Sequence, residues 1–196
     1  MKYEQAKKLV RKNLSEKRYT HTKNVKKMAV KLAKRWGADP EKAALAAILH
    51  DAAKELPKDR QLQIFAENAI IAENAPARPA PVWHGVAAAI LAETKWVVTD
   101  PEILSAIRCH TTLRAAPSPC DMALFLADKL AWDQPGEPPF RSVIEDSLAV
   151  SLEQASLRSI EYVLDHGMIL MPHRWLLEAL AWLRAHAGSP SDGGAR

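Results

Sequence analysis

A chain of 196 residues with 48 % hydrophobic and 26 % charged residues is long enough to bury one sizeable core, and its composition is that of an ordinary water-soluble globular domain. Its longest apolar runs, 43–50 and 86–92, are too short to cross a bilayer, residues 1–5 lack the apolar core of a secretory signal, and Cys109 and Cys120 stand in no metal-binding, redox or disulfide spacing, so a cytoplasmic protein without a membrane partner is expected. The net charge of +4 is uneven, because residues 1–37 hold thirteen Lys or Arg against two Glu; without interleaved aromatics this reads as a solvated helix face, and nucleic acid is not expected as a partner.

Alanine and leucine are abundant and glycine is scarce before the last few residues, which favours helices over a sheet. Val25, Met28, Ala29, Leu32, Ala33 and Trp36 form one apolar stripe, and Gly37 is placed to end that helix. Asp39-Pro40 reads as an N-cap followed by the first helical residue and predicts a helix over 41–55. Pro57 ends it and begins a short segment over 58–67. Residues 72–81, with Pro76, Pro79 and Pro81, predict a loop, and a helix follows over 82–93.

Asp100-Pro101 repeats the cap signal before a helix over 102–111. A further helix is expected over 119–132, then a Pro/Gly-rich loop over 133–140. Two or three helices fill 141–186, the last with Pro172 at its start. His166-Gly167 reads as a helix C-terminus and His173 as an exposed first-turn residue; with His186, these histidines fall in no usable spacing. Trp175, Leu176, Leu180 and Leu183 form a stripe that predicts core packing, with a homodimer interface as the alternative. Residues 188–196 predict a polar disordered tail. The fold class is all-α: a single helical bundle over residues 1–187, with no internal repeat.

Six residues stand out against this apolar background. His50-Asp51 closes the run Ala43-Ala44-Leu45-Ala46-Ala47-Ile48-Leu49. Adjacent helical residues diverge by about 100°, so the pair serves a metal only where a helix end points into a bundle core and Asp51 reaches between two ions. His21 lies one turn before the stripe that starts at Val25, His84 opens an alanine-rich helix, His110 closes another, and Asp128 sits in Leu124-Phe125-Leu126-Ala127. A carboxylate there needs a partner. Each alone also fits a core histidine or a capping aspartate, but together, in the order H…HD…H…H…D, they point to a site for divalent first-row metals.

Over residues 3–185 the sequence resembles the HD-domain phosphohydrolases, and within them the YqeK-type symmetrical diadenosine tetraphosphatases. The resemblance is carried by Arg18-Tyr19-Thr20-His21, Leu49-His50-Asp51-Ala52-Ala53-Lys54, Trp83-His84-Gly85, Asp100-Pro101-Glu102-Ile103-Leu104, Ala106-Ile107-Arg108-Cys109-His110-Thr111-Thr112 and Ala127-Asp128-Lys129. It implies the HD fold and two metal ions, with iron expected and manganese or another first-row metal as alternatives. His21, His50, Asp51 and Asp128 would hold one ion and His84 and His110 the other, with Asp51 bridging. The implied substrate is diadenosine tetraphosphate, cleaved symmetrically to two ADP. Asp51 and Lys54 would take catalytic roles. Arg18, Lys54, His84, Thr111, Thr112, Arg114 and Lys129 would contact the substrate.

The sequence departs from the family pattern at two places. Leu113-Arg114 follows His110-Thr111-Thr112 where the family usually has glycine. Lys129-Leu130-Ala131-Trp132-Asp133-Gln134-Pro135-Gly136 stands where the family commonly has Y-I-E-P-x-R after its late aspartate. Both segments bear on the nucleotide pocket rather than on the metals. Two alternatives therefore stay open: a phosphohydrolase acting on another nucleotide or phosphate ester, and a non-catalytic nucleotide-binding regulator.

Overall fold

The structure, a computed structural model, describes residues 1–68 and 80–188. Most of the expected proline-rich loop and the expected tail lie outside the described residues. All the regular structure described is helical: α1 Tyr3–Asn13, α2 Glu16–Arg35, α3 Pro40–Leu49, α4 Lys58–Glu67, α5 Trp83–Thr94, α6 Pro101–Cys109, α7 Pro119–Leu130, α8 Arg141–Ser147, α9 Leu152–Asp165 and α10 Arg174–His186, with a short 3-10 turn at Ala80–Val82. No helix among the described residues is long and apolar enough to cross a membrane.

Four helices make the central bundle. α2 packs on α3 and α7, α3 also packs on α6 and α7, and α6 packs on α7. Residues 43–49 of α3, 84–92 of α5 and 120–127 of α7 are buried without a break. A helix apolar on all sides must be wrapped on all sides, and the many alanines in these three let neighbouring backbones approach closely. α1 covers α3, α4 covers α5, and the α8–α9–α10 layer rests on α7 through α9. The stripe Leu176, Leu180 and Leu183 is buried within the chain, on the α10 helix that packs against α9.

Two helices begin and end alike. Asp39 and Asp100 each accept two backbone N–H bonds as N-caps, each is followed by proline, and the helices end at His50 and His110. At each end the imidazole Nδ1–H donates to the carbonyl three residues back, Ala47 and Ile107, both at 2.7 Å. That closes the last helical turn with a side chain. The helix expected over 41–55 therefore stops at Leu49, and the chain continues as tight turns in which Ala52, Lys54 and Leu56 donate to the carbonyls of Leu49, Asp51 and Ala53. The helix expected to reach 132 stops likewise at Leu130. Gly37 and Gly167 follow α2 and α9 with φ of 74° and 61°, the left-handed conformation that glycine adopts without steric cost.

His173 is a correction. It is 7 % exposed rather than solvated, and its Nδ1 accepts the Trp175 N–H as the N-cap of α10, leaving Pro172 outside the helix.

Candidate metal centre

The six ligand candidates come from the inner ends and faces of this bundle. His21 lies in the second turn of α2, His50 and Asp51 at the end of α3, His84 in the first turn of α5, His110 at the end of α6, and Asp128 in the last turns of α7. One clamp fixes the α2–α3 side. The Ser15 backbone N–H and hydroxyl both donate to Glu55, at 2.7 and 2.6 Å, tying the start of α2 to the turns that carry Asp51. Ser15 also caps α2 by accepting the Arg18 N–H.

Asp51 divides the cluster. Its Oδ2 lies 3.7 Å from His21 Nε2 and 3.5 Å from His50 Nε2, whereas its Oδ1 lies 3.2 Å from His84 Nε2 and 3.8 Å from His110 Nε2. Asp128 Oδ1 joins the first set, 3.0 Å from His21 and 3.4 Å from His50. Two triads result, His21–His50–Asp51 and Asp51–His84–His110, each with its ligand atoms within 4.8 Å of one another.

The imidazoles are oriented for coordination. His21, His50 and His110 each donate from Nδ1 to a backbone carbonyl, of Ala131, Ala47 and Ile107. A neutral ring that donates from Nδ1 carries its lone pair on Nε2, and all three Nε2 atoms face Asp51. His50 is fully buried and its Nε2 has no hydrogen-bond partner. An orphaned buried nitrogen costs about 1–3 kcal/mol. His84 and His110 bring their Nε2 atoms to 3.0 Å, an approach that is repulsive unless a proton or a cation shares the two lone pairs. These donors fit divalent first-row metals.

The charges agree with that reading. Burial would raise both aspartates, but His50 and His84 outweigh it at Asp51, and His21 and His50 at Asp128, so both carboxyls stay well below the usual carboxylate range. Burial, then the positive charge of His50 and His84, pushes His110 down to about 3, and burial also lowers His84. At His50 burial favours the neutral ring, yet Asp51 and Asp128 prevail and raise it to about 10. The stabilisation from that proton is complete below the ordinary histidine value near 6.5 and is lost as pH rises through about 10. A cation on Nε2 must displace the same proton. Metal uptake by the metal-free protein at pH 7–8 is therefore expected to release about one proton at this histidine and to weaken up to about ten-fold per pH unit on acidification. Calorimetry in buffers of different ionisation enthalpy measures it, and uptake without proton release would contradict it.

The expected substrate contacts fall into three groups. Arg18 reaches the cluster: its guanidinium bonds Asp51 Oδ2 at 2.8 Å and Asp133 at 3.1 Å. Lys54, Thr111, Thr112 and Lys129 line the hollows over the centre. Thr111 Oγ1 is buried without a partner, Thr112 donates its hydroxyl to the Leu113 carbonyl at 2.8 Å, and the Lys129 ammonium lies 4.6 Å above the Phe125 ring. His84 stands inside the cluster itself. Arg114 is not brought there. Its Nε donates to Ser105 and to buried Asp121 at 2.9 and 3.0 Å, and it lines a separate hollow with Trp175 and Glu178. The cause is local: Leu113 takes φ 58° with its side chain fully buried, and this left-handed step turns the next residue away.

Sequence reasoning missed three participants. Asp133 holds the second edge of Arg18. Trp132 lines the hollow beside it with its indole Nε1 buried and unpartnered. Gly85 leaves room for His110, because a Cβ there would sit 3.1 Å from the His110 Cε1 and Nδ1. The His84-Gly85 pair was the available signal for the last; nothing in the local sequence marks the other two.

Comparison with known proteins follows the same lines. The family described as HD domain matches residues 18–133, a span that contains all six ligand candidates. The symmetrical bis(5'-nucleosyl)-tetraphosphatase of Bacillus subtilis (strain 168) is 33 % identical over 178 residues, covering 90 % of this chain and 95 % of its own. The protein of the same description from Staphylococcus aureus (strain NCTC 8325 / PS 47) is 30 % identical over 172 residues, 87 % of this chain and 84 % of its own. A crystal structure described as a predicted HD superfamily hydrolase involved in NAD metabolism, from Clostridium acetobutylicum, superposes with a TM-score of 0.81 at 29 % identity, covering 94 % of this chain and 98 % of that one.

Proposed function

Because this chain belongs to the HD-domain metal-dependent phosphohydrolases of the YqeK type, we propose that it cleaves diadenosine tetraphosphate at the middle of its phosphate chain into two ADP, using two metal ions bridged by Asp51. The observation that carries the reading is the division of Asp51, one oxygen toward His21 and His50 and the other toward His84 and His110. Iron is the metal we expect, and His/Asp donors of this kind also accept manganese and other first-row ions.

In this scheme His21, His50, Asp51 and Asp128 hold one cation and Asp51, His84 and His110 the other. The bound pair supplies an activated water and a concentration of positive charge for an in-line displacement at phosphorus. The chain itself supplies the rest. Arg18 offers a planar fork of donors to a phosphate beside Asp51, and Lys54 and Lys129 set ammonium groups on either hand of Asp128. The Thr111 hydroxyl, which has no partner within the protein, can donate to a phosphate oxygen next to His110. Burial of the cluster strengthens each of these interactions relative to water.

The test is a product analysis. Metal-loaded protein given diadenosine tetraphosphate is expected to yield ADP as the sole nucleotide product by ion-exchange chromatography, with two ions per chain by elemental analysis. Equal amounts of ATP and AMP would replace the symmetrical reading by an asymmetrical one. Hydrolysis of a mononucleotide with none of the dinucleotide would assign the same centre to a different phosphate ester.

A further inference from the structure

Two hollows flank Asp128 and meet along Lys54, Asp128, Lys129, Met168 and Ile169. The smaller, about 400 Å³, holds Arg18, His21 and Asp51 and ends at Trp132 and Gln134. The larger, about 610 Å³, runs the other way, past Thr111 and Val82, and its outer wall is the turn between α9 and α10. That volume lies inside the roughly 300–1,000 Å³ range of small-molecule sites. Each hollow carries one buried polar atom without a partner, Trp132 Nε1 in the smaller and Thr111 Oγ1 in the larger.

The wall of the larger hollow is unusual for a soluble surface. Leu170 and Met171 are 92 % and 77 % exposed, the two most exposed large apolar side chains among the described residues, and they stand next to each other at its rim. Apolar groups left in water beside a polar, cationic floor fit a ligand with a flat apolar end and an anionic one. A nucleotide has that shape. Its base can lie against Leu170 and the soft thioether of Met171, its sugar or phosphate oxygens can take the Thr111 hydroxyl, and its phosphates can reach Lys54 and Lys129.

We propose that the larger hollow seats one nucleoside of a two-ended nucleotide, with Leu170 and Met171 against its base, while the second nucleoside lies in the smaller hollow by Trp132. The two-endedness rests on the proposed function; the assignment of a base to Leu170 and Met171 does not. Both side chains project into solvent, so charged replacements leave the core untouched.

The experiment titrates the metal-loaded full-length protein and its Leu170→Asp/Met171→Glu double variant with ADP and, separately, with inorganic pyrophosphate. One ADP-binding event of the unmodified protein is expected to weaken at least about ten-fold in the variant, with pyrophosphate binding changed less than about two-fold and metal content unchanged. Stacking of one base on a protein platform has a magnitude that covers such a loss. An ADP isotherm identical to that of the unmodified protein would overturn the assignment, and so would equal weakening of ADP and pyrophosphate. Failure to cleave diadenosine tetraphosphate would sink the proposed substrate, yet the contrast between ADP and pyrophosphate would still read the hollow.

Discussion

Asp51→Asn is expected to remove essentially all phosphohydrolase activity, a loss on the order of 10³-fold or more, while the far-ultraviolet circular dichroism of the protein stays helical. The replacement keeps the shape of the side chain and deletes the charge that both halves of the cluster share. Two cations facing four imidazoles and a single remaining carboxylate, Asp128, would lose several kcal/mol of favourable interaction in a site from which water is excluded, and each 1.36 kcal/mol is a factor of ten in rate. The fold has reason to survive. Asp51 lies beyond the last residue of α3, and the α3 core residues make no use of it. Arg18 keeps its second carboxylate, Asp133. Steady-state kinetics together with metal content decides the matter. A variant that retains two ions and more than about one tenth of the activity would contradict a bridging role.

Gly85→Ala is expected to weaken metal binding at the His84–His110 side by about 10–100-fold, the range typical of disturbing the support of a ligand. The new methyl would stand 3.1 Å from His110 Cε1 and Nδ1 and 3.2 Å from the Arg108 carbonyl, all closer than ordinary van der Waals contact. The ring has little freedom to yield. It is 1 % exposed, its Nδ1 is bonded to Ile107, and it meets His50 and His84 edge to face at centroid distances of 4.8 and 5.0 Å. Overpacking of this kind costs about 1–3 kcal/mol in stability, a modest fall in melting temperature. Excess metal should restore much of the lost turnover, because the ligands remain. Unchanged affinity in a metal titration would mean that the helix shifts and the ring does not.

The bundle and its site were legible to different depths. The Asp-Pro caps at 39–40 and 100–101 fixed two helix starts, because an acceptor side chain followed by a pre-formed φ is a strong local signal. The ends of the same helices were not legible past the histidines. The imidazole that closes the last turn acts through a ring-to-carbonyl bond, which residue periodicity does not encode. The six clustered residues stood out because polar side chains in apolar runs are costly without a shared purpose. Asp133 and Trp132 did not, since their role depends on where the chain turns after α7, and a Pro/Gly-rich loop carries no period. Arg114 failed for the same reason one segment earlier: a buried leucine at φ 58° reverses the direction in which the next side chain points.

The Arg18 bridge has a consequence for the order of events. In the protein on its own, one guanidinium edge lies on Asp51 Oδ2 and the other on Asp133. That oxygen is the one facing His21 and His50, so an incoming cation and Arg18 compete for the same electron pairs. Once a cation holds the oxygen, the arginine edge is left free for another anion, and the nearest surface that could offer one is the phosphate chain of a nucleotide. Metallation thus comes first and substrate capture second, as an obligatory sequence. A cell starved of the metal would accumulate protein that neither cleaves its nucleotide nor sequesters it.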